Sequence, residues 1–428
     1  MNDTYIGPNP INNSDLGRLF TTLSNKKPRI IELQKALSAI IALSPENGGD
    51  GELDKAEYIE SLLKNYINLG LDCNIYRSDA NDCRIKSKIR PNIIAKIKGK
   101  KAKTLWLFGH MDVVPPGDIN SWNHDPWQVH ENGDFLIGRG VEDNQQAIVC
   151  MLILCEALLE NKIIPEYNLG LVFMSDEECG SHYGLEYVLN NHAHFFSKDD
   201  FYIIPDAGSK TSDSIEIAEK AQLWVKIKCI GIQCHASTPD KGKNAFVAAC
   251  DMGLCLHKEL PKLFPLKNDL FSPPVSTFVL SRHEENVSGI NILPGQDIFY
   301  IDCRLIPTIS ISSVVDEIKK LAEIVEKRQN IKIEISVIQS QNSTDIDRNH
   351  KNIKILKKAI SYVYNTNAKE IGIGGATVAA FLRQKNLPAI VWATIENTCH
   401  QPNERSSITA TIKDSQVFAH ILMDTHND

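Results

Sequence analysis

The sequence has no apolar run approaching the length of a membrane span, and its opening MNDTYIGPNP has no apolar signal core. The expectation is a chain that neither crosses a membrane nor carries a secretory leader. Positive charge is not in excess either: 46 Lys and Arg stand against 53 Asp and Glu, giving a net charge of −7. That argues against a nucleic-acid binder, which would show a basic stripe. The local cluster KGKKAK at residues 98–103 reads as a solvated turn before a strand. Eleven cysteines occur without a C-x-x-C pair, which points to reduced, mostly buried thiols and not to a disulfide framework. Cytoplasm is the expected location. Internal repeats are absent, and 428 residues suffice for two domains or more.

What the sequence does contain is a set of metal-capable side chains, each placed just after an apolar run. Residues 104–108 (TLWLF) lead into Gly109-His110-Met111-Asp112, and residues 169–174 (LGLVFM) lead into Ser175-Asp176-Glu177-Glu178. Residues 201–204 (FYII) precede Pro205-Asp206, and residues 389–394 (AIVWAT) come shortly before His400. Asp143 follows the short FLI stretch at 135–137 through Gly138-Arg139-Gly140. In a parallel α/β sheet, ligands bind outside the carboxyl ends of the strands. His110 alone would read as a hydrogen-bonded strand-end histidine, and Glu177-Glu178 alone as a solvated turn. Five such residues placed by one rule point to a metal-dependent enzyme.

Two imidazoles and three carboxylates suit zinc, manganese or cobalt. Five ligands exceed the needs of one catalytic zinc but fit two ions if one carboxylate bridges. Glu177 and Glu178 are neighbours, so one can bind metal while the other faces the substrate as a general base. Asp112, two residues beyond His110, can hydrogen-bond the far ring nitrogen and fix its tautomer.

Along the chain, residues 1–27 are polar and Asn-rich at first, and are expected to be a loosely ordered extension. Helical periodicity then begins near Ile30, and strands alternate with helices as far as Asp206, as in a parallel sheet with covering helices. From about residue 219 the pattern changes. Strands are expected at 222–232, 275–280, 297–305 and 331–339, with helices at 244–259 and 311–327. That order is β-α-β-β-α-β, the ferredoxin-like split unit. A polar stretch at 340–348 reads as a hinge, after which the first pattern returns. The expected organisation is a catalytic domain in two parts, 1–218 and 341–428, with an inserted α+β domain at 219–340.

The segments GHMDVVP, GRGVEDNQQA, SDEECGS, PDAGS, GIQCHASTPDKGKNA, NILPG, DCRL and TCHQPNE occur in this order. The order resembles that of the metallopeptidase family containing acetylornithine deacetylase, succinyl-diaminopimelate desuccinylase, aminoacylase and glutamate carboxypeptidase. The resemblance implies an α/β fold, with a phosphorylase/hydrolase-like zinc-exopeptidase catalytic domain and an inserted ferredoxin-like lid and dimerisation domain. It also implies two divalent metal ions, zinc foremost. Asp143 would bridge them, with His110 and Asp206 on one ion and Glu178 and His400 on the other. Glu177 resembles the catalytic base, and His235 the lid histidine that reaches a partner's active site in dimeric members. Asn291, Arg304 and Gly375 resemble substrate-binding positions. The implied substrate is a small N-acyl amino acid or short peptide with a free carboxylate, and the implied assembly is a homodimer.

The chain departs from the family pattern at Gln145-Gln146, where members commonly carry Lys-Gly, and at Ala376-Thr377-Val378, where many carry Thr-Ser-Asp. Both segments are expected near the substrate. Arg304 could instead pair with a nearby carboxylate, Asp297 and Asp302 being the nearest acidic candidates. A thiol–histidine nucleophile at Cys234-His235 is disfavoured, because neighbours in an extended strand point to opposite faces. Residues 372–377 (GIGGAT) imitate a dinucleotide fingerprint, but NTNAKE at 365–370 is not the apolar strand that must feed such a loop.

Overall fold

The computed structural model describes residues 14–424. They form two compact units. One runs to Glu216 and resumes over Ile346–Glu370 and again from Thr377, while the other comprises Ile217–Asp345 and Ile371–Ala376. The short segment Ile371–Ala376, which includes Gly375, belongs to the second unit and not to the catalytic part expected from sequence. The reason is local: Gly372 donates its N–H to the Leu270 carbonyl at 2.6 Å, and the Phe271 ring fills the space where a Cβ on Gly372 would stand.

The first unit is built on a mixed sheet. Four strands, Asn168–Met174, Thr104–His110, Phe201–Ser209 and Ala389–Thr394, lie side by side and parallel, and each contains a buried apolar run. The edges are not parallel as the sequence pattern suggested. Cys73–Asn81 and Ile89–Ile97 form an antiparallel pair beside Asn168–Met174, and Glu216 pairs antiparallel with Val391 of Ala389–Thr394. A turn of only seven residues joins the first pair, too short for the crossover that parallel strands require.

Helices cover both faces. Gln145–Asn161 is apolar nearly all round and is buried from Gln145 to Leu158. It packs between strand Thr104–His110 and the helices Lys27–Ala39 and Ile408–Leu422. On the opposite face, Leu185–Asn191 and Ala379–Gln384 pack against Trp106, Phe108, Val172 and Tyr202. Trp106 stands opposite Gly170 in the strand register, and a Cβ on Gly170 would lie 2.1 Å from the indole ring. Only glycine leaves room there for the ring.

Residues 1–13 of the extension expected to be loosely ordered lie outside the described residues. Asp15–Ser24, by contrast, is a helix. Ser14 caps it by accepting from the Gly17 N–H, and Leu19 and Leu23, one turn apart, bury completely where it meets Gln145–Asn161 and Ile408–Leu422. The Asn-rich flank hides a short amphipathic signal.

The second unit contains strand Ala221–Ile230, helix Ala245–Leu263, strands Thr277–His283 and Gln296–Leu305, helix Ile311–Gln329 and strand Lys332–Gln341. Every pairing in its four-stranded sheet is antiparallel, with Gln296–Leu305 and Ala221–Ile230 in the centre. This is the ferredoxin-like order. Leu223, Val225, Ile227 and Cys229 alternate toward the two helices and form the core with Met252, Leu256, Val314 and Ile318. No helix among the described residues is long and apolar enough to cross a membrane.

Candidate metal centre

His110, Glu177, Glu178 and His400 lie at or beyond the carboxyl ends of three of the four parallel strands. Asp206 sits inside strand Phe201–Ser209, where the pairing slips between Ile204↔Val391 and Gly208↔Ala393. Such a bulge re-aims a side chain out of the sheet. Asp143 arrives by another route, which corrects the single placement rule inferred from sequence. The strand before it, Phe135–Ile137, belongs to a separate three-stranded sheet with His130–Asn132 and Arg405–Ser407. Asp143 then enters the site from the loop that begins helix Gln145–Asn161.

The side chains nonetheless converge. His110 Nε2 lies 2.9 Å from Asp143 Oδ1 and 3.6 Å from Asp206 Oδ1. His400 Nε2 lies 3.1 Å from Asp143 Oδ2 and 3.1 Å from Glu178 Oε2. One carboxylate thus offers a different oxygen to each imidazole. The far nitrogen of His110, Nδ1, meets the main-chain carbonyl of Asp112 at 3.0 Å, with the Asp112 carboxylate at 3.5 Å. A carbonyl can only accept, so Nδ1 carries the hydrogen and the Nε2 lone pair is left for a cation. The closer tautomer-setting group is therefore the backbone of Asp112. Its side chain is engaged elsewhere, accepting the N–H groups of Glu177 at 3.1 Å and Glu178 at 3.0 Å.

That pairing continues along the turn. Ser175 N–H donates to Asn92 Oδ1 and Asp176 N–H to Glu52 Oε1, so four successive amides are each held by a side-chain oxygen. Glu52 is itself gripped by Arg90, both fully buried. The grip fixes the direction in which Glu177 and Glu178 diverge. No protein group among the described residues hydrogen-bonds the Glu177 carboxylate, although Glu178 meets His400.

The electrostatics fit a divalent cation. Burial pushes the Glu177 carboxyl well above its ordinary range, and Asp206, Glu178 and Asp143 add to the effect. Burial pulls the His110 imidazole down, but Asp112, Asp143 and Asp206 carry it well above its usual value. The carboxylates of Asp143 and Glu178 raise His400 to about 10. Carboxylate charge is so concentrated that protons are drawn in to offset it, a role that two dications would fill with better geometry. Glu46, Asp176 and Cys179 also place ligand atoms within 4.8 Å of one another. There Arg84 pairs with Glu46 and Arg90 lies 3.4 Å from Asp176, so cations of the protein itself already serve those carboxylates.

Residues 106–424 match Peptidase family M20/M25/M40. The chain belongs to this family. A Methanocaldococcus jannaschii protein described as an uncharacterized metallohydrolase is 40% identical over 405 residues, covering 92% of this chain and 98% of its own length. The succinyl-diaminopimelate desuccinylase of Wolbachia sp. subsp. Brugia malayi is 26% identical over 380 residues, covering 87% and 88%. Among solved structures, human carnosine dipeptidase 1 superposes with a TM-score of 0.72 at 17% identity, covering 96% of this chain and 98% of that one, a likeness of fold. As an M20-family metallohydrolase, the chain hydrolyses amide bonds with the help of divalent metal.

In this M20 chain the remaining sequence candidates lie in the second unit. His235 is exposed, and its Nδ1 receives the Ser237 N–H at 3.1 Å with the Ser237 hydroxyl at 2.7 Å. A backbone N–H can only donate, so the proton of a neutral His235 sits on Nε2. Cys234 turns away and bonds the Thr238 carbonyl at 3.4 Å. Asn291 is exposed, and its carbonyl accepts from the Ala236 N–H. Gly375 is exposed with open space around it. Arg304 forks onto Asp302 at 2.8 and 3.1 Å and donates to the Gly374 carbonyl at 3.1 Å. Its sequence position allowed such a carboxylate partner, and three of the five guanidinium N–H groups are used this way.

Gln145 and Gln146 are buried. Gln145 accepts from Ser38, and Gln146 donates to the Thr394 carbonyl. One end of each amide is thus engaged inside the fold, and both side chains are buried instead of lying open to a substrate. Sequence reasoning gave no role to Asn144, whose amide donates to Asp206 Oδ1 and to the Pro205 carbonyl, both at 2.8 Å. Its place next to Asp143 was the available signal.

Proposed function

We propose that the chain is a dinuclear-metal amidohydrolase that cleaves the amide bond of a small N-acyl amino acid, most like a succinyl-diaminopimelate desuccinylase or acetylornithine deacetylase. The observation that carries this reading is the Asp143 carboxylate facing one imidazole with each oxygen, beside a Glu177 carboxylate free of protein partners. His110 and Asp206 would hold one ion, and Glu178 and His400 the other, with zinc the first choice and cobalt or manganese also suited. Ions bound there would polarise the scissile carbonyl and make water a nucleophile near neutral pH. Glu177 takes the proton of the attacking water and passes it to the leaving amine. Its raised proton affinity suits both halves of that task. Asp112 holds the turn that aims it. All eleven cysteines are free thiols, which suits the cytoplasm.

His235 is proposed to donate from Nε2 to the substrate carbonyl of a second copy in a homodimer formed through the second unit. An apolar groove there, of about 530 Å³ and lined by Phe246, Leu254, Leu280 and Phe299, favours that face. Mixing inactive Glu177→Gln subunits with inactive His235→Ala subunits is expected to restore activity in the heterodimer. A mixture that stays inactive, or a monomer in solution, removes the role in trans.

Asn291, Gly375 and the two remaining Arg304 donors are proposed to receive the substrate, with the guanidinium taking its carboxylate. Arg304→Lys keeps the charge but loses the planar fork. It should raise KM for carboxylate substrates and leave an amidated analogue nearly unaffected. Equal losses on both would assign Arg304 to the Asp302 pairing alone. Screening the zinc-loaded protein against N-succinyl, N-acetyl and N-formyl amino acids and dipeptides tests the whole reading. Turnover of dipeptides alone would favour a dipeptidase, the reading that human carnosine dipeptidase 1 supports by its fold. Turnover of none would reject the function.

A further inference from the structure

The two loops that bring Asp143 and His400 into the site each hold the other's backbone with a buried carboxylate. Glu142, beside Asp143, reaches into the loop before His400. Its Oε1 accepts the N–H groups of Glu396 and Asn397, and its Oε2 accepts the Thr398 N–H at 2.6 Å and the Thr398 hydroxyl at 2.7 Å. Glu404, four residues past His400, reaches back. Its Oε1 accepts the N–H groups of Glu142 at 2.9 Å and Asp143 at 3.0 Å, and its Oε2 accepts the Gly140 N–H at 3.0 Å and Arg139 Nη1 at 2.5 Å. Both side chains are almost wholly buried, at 4% and 0% exposure.

Stability alone is a poor account of this exchange. Two extra carboxylates stand next to a site already crowded with them, and well-packed apolar side chains often hold buried segments as well as ionic ones do. Directional hydrogen bonds, however, fix position to a fraction of an ångström. The spacing that matters lies between these loops, because His400 Nε2 and Asp143 Oδ2 approach to 3.1 Å across them. His110 needs no such device, since it ends a central strand of the sheet.

We propose that Glu142 and Glu404 are positioning residues that set His400 against Asp143 and so govern retention of the ion at His400, Asp143 and Glu178. This rests on the dinuclear reading above and deepens it. The effect should fall most heavily on the ion on the His400 side, since both loops of the clamp meet there, and less on the one at His110 and Asp206, whose positions come from their own strands.

The test uses the full chain loaded with zinc or cobalt, comparing wild type with Glu142→Gln, Glu404→Gln and Thr398→Val. Chelator titration, cobalt visible absorption and thermal melting are the readouts. In each glutamine variant the ion on the His400 side should bind about 10–100-fold more weakly, with a clearly smaller change at the other ion. The cobalt spectrum should change and kcat should fall more than KM rises. Thr398→Val, which removes one of the four donors to Glu142, should weaken the same ion by a smaller factor in a protein that still folds. If wild type holds two ions and all folded variants keep both at wild-type affinity, with only the melting temperature lowered, the inference is overturned and the clamp is structural. A wild type that binds no metal overturns the functional reading and this inference with it.

Discussion

Replacing Glu177 with glutamine is expected to lower turnover by about 10²–10⁴-fold while both metal equivalents remain bound. Glutamine has nearly the same shape, so the turn held by Asp112, Glu52 and Asn92 through its amides should stay in place. What disappears is a carboxylate that burial has made unusually ready to take a proton. The Glu177 side chain makes no hydrogen bond to protein among the described residues, so the change breaks no structural bond and its effect should fall on chemistry. Single-turnover rates and elemental analysis on one preparation make the check. Near-normal turnover with metal bound would show that another group moves the proton.

Replacing Asp143 with alanine is expected to strip the protein of both ions, whereas His110→Ala or His400→Ala should chiefly weaken one. The difference follows from geometry, because Asp143 alone offers an oxygen to each imidazole. Removing it also leaves Glu178 and Asp206 without the group that joins them into one site. Elemental analysis after dialysis should find about two equivalents in wild type and nearly none in Asp143→Ala, with the far-ultraviolet dichroism of the fold unchanged. Retention of one full equivalent in Asp143→Ala would mean that the carboxylate serves a single ion.

Much of this arrangement could be read from local pattern. TLWLF, LGLVFM, FYII and AIVWAT are uninterrupted apolar runs, and strands buried on both faces have that signature. The β-α-β-β-α-β order of the second unit emerged from alternation in the same way. What escaped depends on partners distant in sequence. The FLI stretch at 135–137 gives no hint that it pairs with Arg405–Ser407 in a sheet of its own, and so Asp143 reads from the sequence as one more strand-end residue. Glu52, Glu142 and Glu404 look like ordinary solvated acids until Arg90, or the amides of another loop, are seen around them. Arg304 stood between two roles because its sequence neighbour Asp302 and an incoming carboxylate would satisfy it equally.

The contact between Trp106 and Gly170 has a consequence for descent. The two positions share one allotment of volume, since the indole occupies the place where any larger residue at 170 would put its first carbon. Position 170 cannot gain a side chain while tryptophan stands at 106. A lineage that gained a side chain at 170 would first have to accept a smaller residue at 106, and the intermediate would carry an unfilled hole next to the strand that ends in His110. Tryptophan and glycine at these positions should therefore be inherited together or exchanged together. A side chain at 170 beside a retained tryptophan at 106 would mark a relative whose central strands have shifted apart.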